Sequence, residues 1–128
     1  MIRVLIADDH GVVRDGLGRL VEALPDMELV GLAADGEEAV ERSRDSEPDV
    51  VLMDLDMPRL DGIETCRRLK SEPSTADATI VMLTGDSDQD AELEARRAGA
   101  DLFLTKPFSP LHLLRLVDRL ADLPPQPG

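Results

Sequence analysis

Asp49-Val50-Val51-Leu52-Met53-Asp54-Leu55-Asp56-Met57-Pro58-Arg59-Leu60-Asp61-Gly62 is the stretch that decides the fold class. A short apolar run stops on an acid, and a loop containing Pro58 and Gly62 follows. Such a run, bounded by turn signals, reads as a fully buried strand of a parallel sheet. The pattern recurs on either side. Val4-Leu5-Ile6-Ala7 runs into Asp8-Asp9, Ile80-Val81-Met82-Leu83 into Thr84, and Leu102-Phe103-Leu104 into Thr105-Lys106-Pro107. In open α/β sheets the ligand site lies outside the carboxyl ends of the strands. Three carboxylates, a hydroxyl and an ammonium therefore stand where one site would form.

Helical patterns fill the intervals. Val13, Leu17, Leu20, Val21 and Leu24 share helical spacing up to Pro25, and Asp35-Gly36-Glu37-Glu38 opens a second helix with early acids suited to its positive end. A third helix carries Ile63, Cys66 and Leu69. A fourth spans about Asp88–Ala98 with Gly99 as its stop, and Ser109-Pro110 opens a last one over Leu111–Leu123. Gly16 and Gly18 weaken the first helix by about 1 kcal/mol each relative to Ala, so it relies on packing. Strands near Arg3–Ala7, Glu28–Ala33, Asp49–Asp54 and Thr79–Thr84, with a fifth ending near Thr105, complete five βα units. The expected fold is a doubly wound five-stranded parallel sheet of order 2-1-3-4-5 with helices on both faces. Its switch point, between the first and third strands, would bring Asp8, Asp9 and Asp54 together. Residues 1–123 form the expected domain, and 124–128 a Pro-rich tail or linker.

The 128 residues suffice for one domain with a core that needs no staples. The formal net charge of −13 repels phosphate backbones and anionic lipids, which argues against direct nucleic-acid or membrane binding. Two Phe and no Tyr or Trp leave few rings to stack on a base or a flavin, so an electron carrier of the flavodoxin type is disfavoured. Cys66 excludes an internal disulfide, and its helical context suggests a buried reduced thiol. With no long apolar stretch, the expected location is the cytoplasm.

Converging carboxylates require protonation or a cation, and all-oxygen donors suit Mg²⁺ or Mn²⁺. Alone, Asp8-Asp9 would be a polar turn that caps the next helix; paired with Asp54 it favours a metal. Lys106 and Thr84 supply a point charge and a hydroxyl for a phosphoryl group. One carboxylate would then act as the acceptor nucleophile. The rigid Lys106–Pro107 bond, a cis-peptide candidate, would fix where the ammonium points. His10 beside the acid pair reads as a capping or solvent-facing residue rather than a ligand. Arg96, Arg97, Asp101, Arg115, Asp118 and Arg119 offer a charged face, either solvated or used for dimerisation.

Asp8-Asp9, Asp54, Met57-Pro58, Asp61-Gly62, Thr84-Gly85, Gly99-Ala100 and Lys106-Pro107-Phe108 together resemble the receiver domain of bacterial two-component response regulators. The resemblance implies that Asp54 accepts a phosphoryl group from a sensor histidine kinase or histidine phosphotransfer protein. It implies a Mg²⁺ site made by Asp9, Asp54 and the backbone carbonyl of Asp56, with Asp8 as a second or water-mediated ligand. Thr84 and Phe103 become the switch residues, Lys106 the partner of the phosphoryl group, and Asp56 and Asp86 the side chains that tune its lifetime. Such a protein is a regulatory phosphoacceptor rather than an enzyme, though it assists its own phosphorylation and dephosphorylation. It would control a downstream effector domain or protein, and a phosphorylation-dependent homodimer is a further expected partner. The alternatives are a phosphate-independent scaffold of the same shape and a haloacid-dehalogenase-like phosphatase, whose opening motif Asp54-Leu55-Asp56 imitates.

Overall fold

The computed structural model describes residues 2–55, 57, 60–84, 89–105, 111–113, 115 and 116, with Gln89 described for its backbone only. Five strands, β1 (Ile2–Ala7), β2 (Met27–Ala33), β3 (Val50–Asp54), β4 (Thr79–Thr84) and β5 (Leu102–Thr105), form one sheet in the order β2-β1-β3-β4-β5. Every pairing is parallel. Helices α1 (Gly11–Ala23), α2 (Gly36–Ser46), α3 (Gly62–Ser71) and α4 (Gln89–Ala98) connect them. The expected order and the two-faced helix cover are both present. Of the last expected helix, the described part of residues 111–116 is helical; the proposed tail and the rest of that helix lie outside the described residues.

Strand periodicity sorts the core into two layers, because successive side chains point to opposite faces. Val4, Ile6, Val50, Leu52, Val81 and Leu83 meet Leu17 and Val21 of α1, together with Leu113 and Leu116. Leu5, Ala7, Val51, Met53, Ile80 and Met82 meet Ala39 and Val40 of α2, Cys66 and Leu69 of α3, and Ala95 and Ala98 of α4. One departure from the simple strand pattern is a bulge between β1 and β2, where the register slips between Val4 and Leu5 so that Leu5 faces Gly31.

Capping follows the local chemistry. Asp35 and Asp61 are the N-caps of α2 and α3; Asp35 Oδ1 accepts from Glu38 N–H at 2.9 Å and Asp61 Oδ1 from Glu64 N–H at 2.8 Å. Gly99 ends α4 at φ +112°, a conformation that strains any residue with a Cβ. Lys70 of α3 donates to the Ala78 carbonyl at 2.7 Å and lies 3.0 Å from Asp101, whose Oδ2 also accepts the Ile80 N–H at 2.8 Å. Asp101, with its side chain 43 % exposed, thus ties α3 to the start of β4.

Cys66 is fully buried, and its Sγ lies 3.7 Å from the Ala98 carbonyl oxygen to which the thiol donates. Burial pushes the thiol up to about 11. A neutral thiol held above its ordinary value contributes nothing to the pH dependence of stability at neutral pH. As pH rises from the unfolded value through about 11, stability falls, because only the unfolded chain ionises freely. The expected loss is about 3 kcal/mol over that interval. Urea unfolding between pH 8 and pH 11, beside Cys66→Ala, measures it; parallel slopes in the two proteins would show that Cys66 has no part in it.

Candidate metal and phosphoryl site

The parallel register decides where the acids meet. Val4 pairs with Val50 and Ala7 with Met53, so β1 and β3 end side by side and Asp8 lies next to Asp54. Asp54 pairs in turn with Leu83, and the Leu55 N–H donates to the Leu83 carbonyl at 3.1 Å, which brings Thr84 alongside. Asp8 is fully buried, Asp54 and Thr84 are buried, and the Asp9 side chain is 31 % exposed. Asp8 is held at both ends: its N–H donates to Ala33 O at 3.0 Å, and its carbonyl accepts from Arg14 Nη1 at 2.9 Å. Its Oδ1 also accepts the His10 N–H at 2.9 Å, turning the chain into α1.

The loop after Asp54 is fixed by two close backbone approaches. A Cβ on Gly62 would stand 2.6 Å from the Asp54 carbonyl oxygen, so only glycine lets α3 begin against the end of β3. The Gly62 N–H donates to Leu55 O at 3.0 Å. A Cβ on Gly36 would overlap the Leu60 carbonyl oxygen and Thr65 Oγ1, so the start of α2 presses on the far end of the same loop.

Asp8, Asp9, His10 and Asp54 each offer a ligand atom within 4.8 Å of the others. Carboxylate oxygens in that number suit a hard divalent ion, so the donor set fits Mg²⁺ or Mn²⁺. His10 takes the solvent-facing place at the start of α1 that was expected of it. It occupies the N-cap of α1, and its ring is 66 % exposed, but the ring caps nothing: Nδ1 lies 3.1 Å from Asp9 Oδ1 and 3.3 Å from Asp8 Oδ1. In the sequence the only sign of this was the imidazole's adjacency to the acid pair.

Phe103 on β5 is half-buried against the α2–α3–α4 layer, with the Arg96 guanidinium carbon 4.6 Å from its ring centroid. Arg96 also pairs with Glu92 at 3.3 Å, so this member of the expected charged face has partners within its own chain. Asp56, Asp86, Lys106, Pro107, Asp118 and Arg119 lie outside the described residues.

Residues 4–118 match the family described as the response regulator receiver domain. The chain belongs to that family. This receiver domain is 45 % identical over 106 residues to the transcriptional regulatory protein LiaR of Bacillus subtilis, covering 83 % of this chain and 49 % of LiaR. It is 38 % identical to the response regulator UvrY of Escherichia coli, covering 91 % of this chain and 53 % of UvrY. The chain spans about half the length of these curated relatives. Among solved structures, the response regulator domain of Thermotoga maritima CheB superimposes with a TM-score of 0.85 at 34 % identity, covering 98 % of this chain and 99 % of that one. The signal receiver domain of NarL from Mycobacterium tuberculosis gives 0.87 at 28 % identity, covering 94 % and 95 %. Among the described residues of this receiver domain, no helix is long and apolar enough to cross a membrane.

Proposed function

We propose that Asp54 is the phosphoryl acceptor of this receiver domain and that its modification by a sensor histidine kinase or histidine phosphotransfer protein controls an effector. The observation that supports this best is the buried Asp54 carboxylate at the end of a central strand, grouped with Asp8 and Asp9 and followed across the sheet by Thr84. A carboxylate oxygen of Asp54 attacks phosphorus, and the donor imidazole leaves. Asp8, Asp9, Asp54 and the backbone carbonyl of Asp56 would hold Mg²⁺, which supplies charge neutralisation for the transferring group. Thr84 donates its hydroxyl to a phosphoryl oxygen, and Lys106 supplies the opposing charge. Asp56 and Asp86, two residues after Asp54 and Thr84 in the sequence, would tune how long the modification lasts.

The output follows from charge. Phosphorylation adds about −1.5 to −2 charges and new acceptors, which draw Thr84 and Lys106 toward Asp54. Moving a switch from 1 % to 99 % active needs about 5.5 kcal/mol, within reach of a few charge-assisted hydrogen bonds at about 1.5–3 kcal/mol each. Phe103, next to the strand end that carries Thr105, changes rotamer with this shift and alters the β4–β5 surface offered to the effector. The acting compartment is the cytoplasm, and a phosphorylation-dependent homodimer is one form of the output.

Incubation with Mg²⁺ and acetyl phosphate, followed by intact mass spectrometry, tests the reading. The expected result is one added phosphoryl group that disappears when EDTA precedes the donor. A chain that binds Mg²⁺ yet gains no mass from acetyl phosphate or from any histidine kinase would be a phosphate-independent scaffold instead.

A further inference from the structure

We propose that Arg14 is a positioning residue of the acid site: by holding the Asp8 carbonyl it fixes the peptide between Asp8 and Asp9 and so presents both carboxylates to one divalent ion. The inference rests on the Mg²⁺ reading above and assigns the side chain that makes the acid pair ready for the ion. Arg14 is half-buried at the end of the first turn of α1. Its main chain continues the helix, with its N–H donating to the His10 carbonyl at 2.9 Å. Its guanidinium turns back along the chain and donates from Nη1 to the Asp8 carbonyl, also at 2.9 Å. A Cβ at Gly11 would stand 3.8 Å from Nη2, so the guanidinium lies along that first turn. A charged donor of this kind holds a carbonyl more firmly than a neutral one.

The bond matters because it falls where the sheet lets go. The pairing of β1 with β3 ends at Ala7 and Met53, one residue before Asp8. Past that point the sheet holds Asp8 through its N–H, on the Ala33 carbonyl at 3.0 Å. The next peptide unit carries the Asp8 carbonyl at one end and the Asp9 N–H at the other. It is planar, so a donor that pins the oxygen also sets the direction in which the chain leaves toward Asp9. Asp8 is fully buried, whereas the Asp9 side chain is 31 % exposed and has less packing to orient it. Among the described residues the guanidinium forms no ion pair, so it orients the two acids without occupying a carboxylate oxygen.

Geometry and charge predict opposite effects, which makes the role measurable. A cation near the site repels Mg²⁺, so loss of the charge alone would tighten binding. Loss of the grip on the carbonyl lets the peptide rotate and weakens binding. Removing a group that orients a metal ligand typically costs about 10–100-fold in metal affinity. Asp54 is carried by β3, where it pairs with Leu83, and Arg14 does not hold it. The effect therefore falls on the Mg²⁺ requirement rather than on the rate of phosphoryl uptake once the ion is bound.

Calorimetric titration of MgCl₂ into the wild type, Arg14→Met, Arg14→Lys and Arg19→Met tests this, with Arg19 as an exposed arginine of the same helix. Arg14→Met should bind Mg²⁺ at least about tenfold more weakly. Arg14→Lys, which keeps a charged donor but not the planar fork, should fall between it and the wild type. Arg19→Met should stay within about twofold of wild type, because an exposed charge is screened. In acetyl phosphate assays read by intact mass spectrometry, Arg14→Met should need about tenfold more Mg²⁺ for its half-maximal rate, yet come within about threefold of the wild-type rate at saturating Mg²⁺. A merely structural role would lower the urea midpoint without producing this split. Unchanged or tighter Mg²⁺ binding by Arg14→Met overturns the proposal. So does an equal loss in Arg19→Met, or a lower rate at saturating Mg²⁺ with an unchanged Mg²⁺ requirement. A wild type that binds Mg²⁺ without taking up phosphoryl overturns the acceptor reading alone, since the titrations still judge Arg14. A wild type that binds no Mg²⁺ overturns the metal site and this role with it.

Discussion

Asp54→Ala should take up no phosphoryl group from acetyl phosphate under conditions that modify the wild type fully. The expected loss is complete because the substitution removes the attacking oxygen itself, not an accessory contact. The neighbouring acids are poorly placed to replace it. Asp8 is fully buried, with Oδ1 engaged by the His10 N–H and its backbone held by Ala33 and Arg14. Asp9 lies one residue further from the strand and closer to solvent. Only Asp54 is in register with Leu83, one residue from Thr84. Asp54→Asn serves as the companion variant, since it keeps the shape and the strand end while removing the nucleophile. Intact mass spectrometry reads both variants, with circular dichroism to verify folding. A folded Asp54→Asn protein that still gains one phosphoryl group as fast as wild type would move the acceptor elsewhere.

Gly36→Ala should destabilise the domain by at least about 2 kcal/mol, equivalent to a fall of roughly 8 °C in melting temperature at this size. The added Cβ would overlap the Leu60 carbonyl oxygen and Thr65 Oγ1 and stand 2.7 Å from Leu60 Cβ. Backbone on one side and a buried threonine on the other leave little that can give way. Thr65 Oγ1 is itself held by the Asp61 carbonyl at 2.6 Å, and Asp35 anchors the start of α2 through Glu38. The better helix propensity of Ala recovers less than about 1 kcal/mol. Gly16→Ala is the natural control: it also lies within a helix, but beyond its chain neighbours and its own helix backbone no atom of the described residues lies within 4 Å of its added Cβ. It should raise stability by up to about 1 kcal/mol. Urea midpoints compare the two, and equal midpoints for Gly36→Ala and wild type would mean the loop yields without cost.

The same glycine affects function through geometry. The loop pressed by Gly36 starts at Asp54 and is pinned at its other end by Gly62. The proposed Mg²⁺ site draws on this loop, so Gly36→Ala should weaken Mg²⁺ binding as well as stability in any folded protein that remains. Neither contact was legible in the sequence. Asp35-Gly36 read there as a helix start and Asp61-Gly62 as the end of the loop before the third helix; in the structure Asp35 and Asp61 are the caps and both glycines begin their helices. Their second role depends on α2 and α3 packing side by side on one face of the sheet.

Alternation of apolar runs with helical periodicities was sufficient to define five strands and their parallel sense, because periods of 2 and 3.6 are local properties of the chain. Placement of the acids at strand ends followed from the same pattern, as did the buried thiol of Cys66. Tertiary structure alone decided which atoms meet. The register of β1 on β3 joins residues more than forty positions apart, and a slip of one residue would turn every side chain to the other face. The ring of His10 lies beside the acids where Asp8 closes a tight turn, and the exposed Arg96 guanidinium lies over the Phe103 ring. Such juxtapositions arise from close packing between elements distant in sequence, for which no single segment carries a signal.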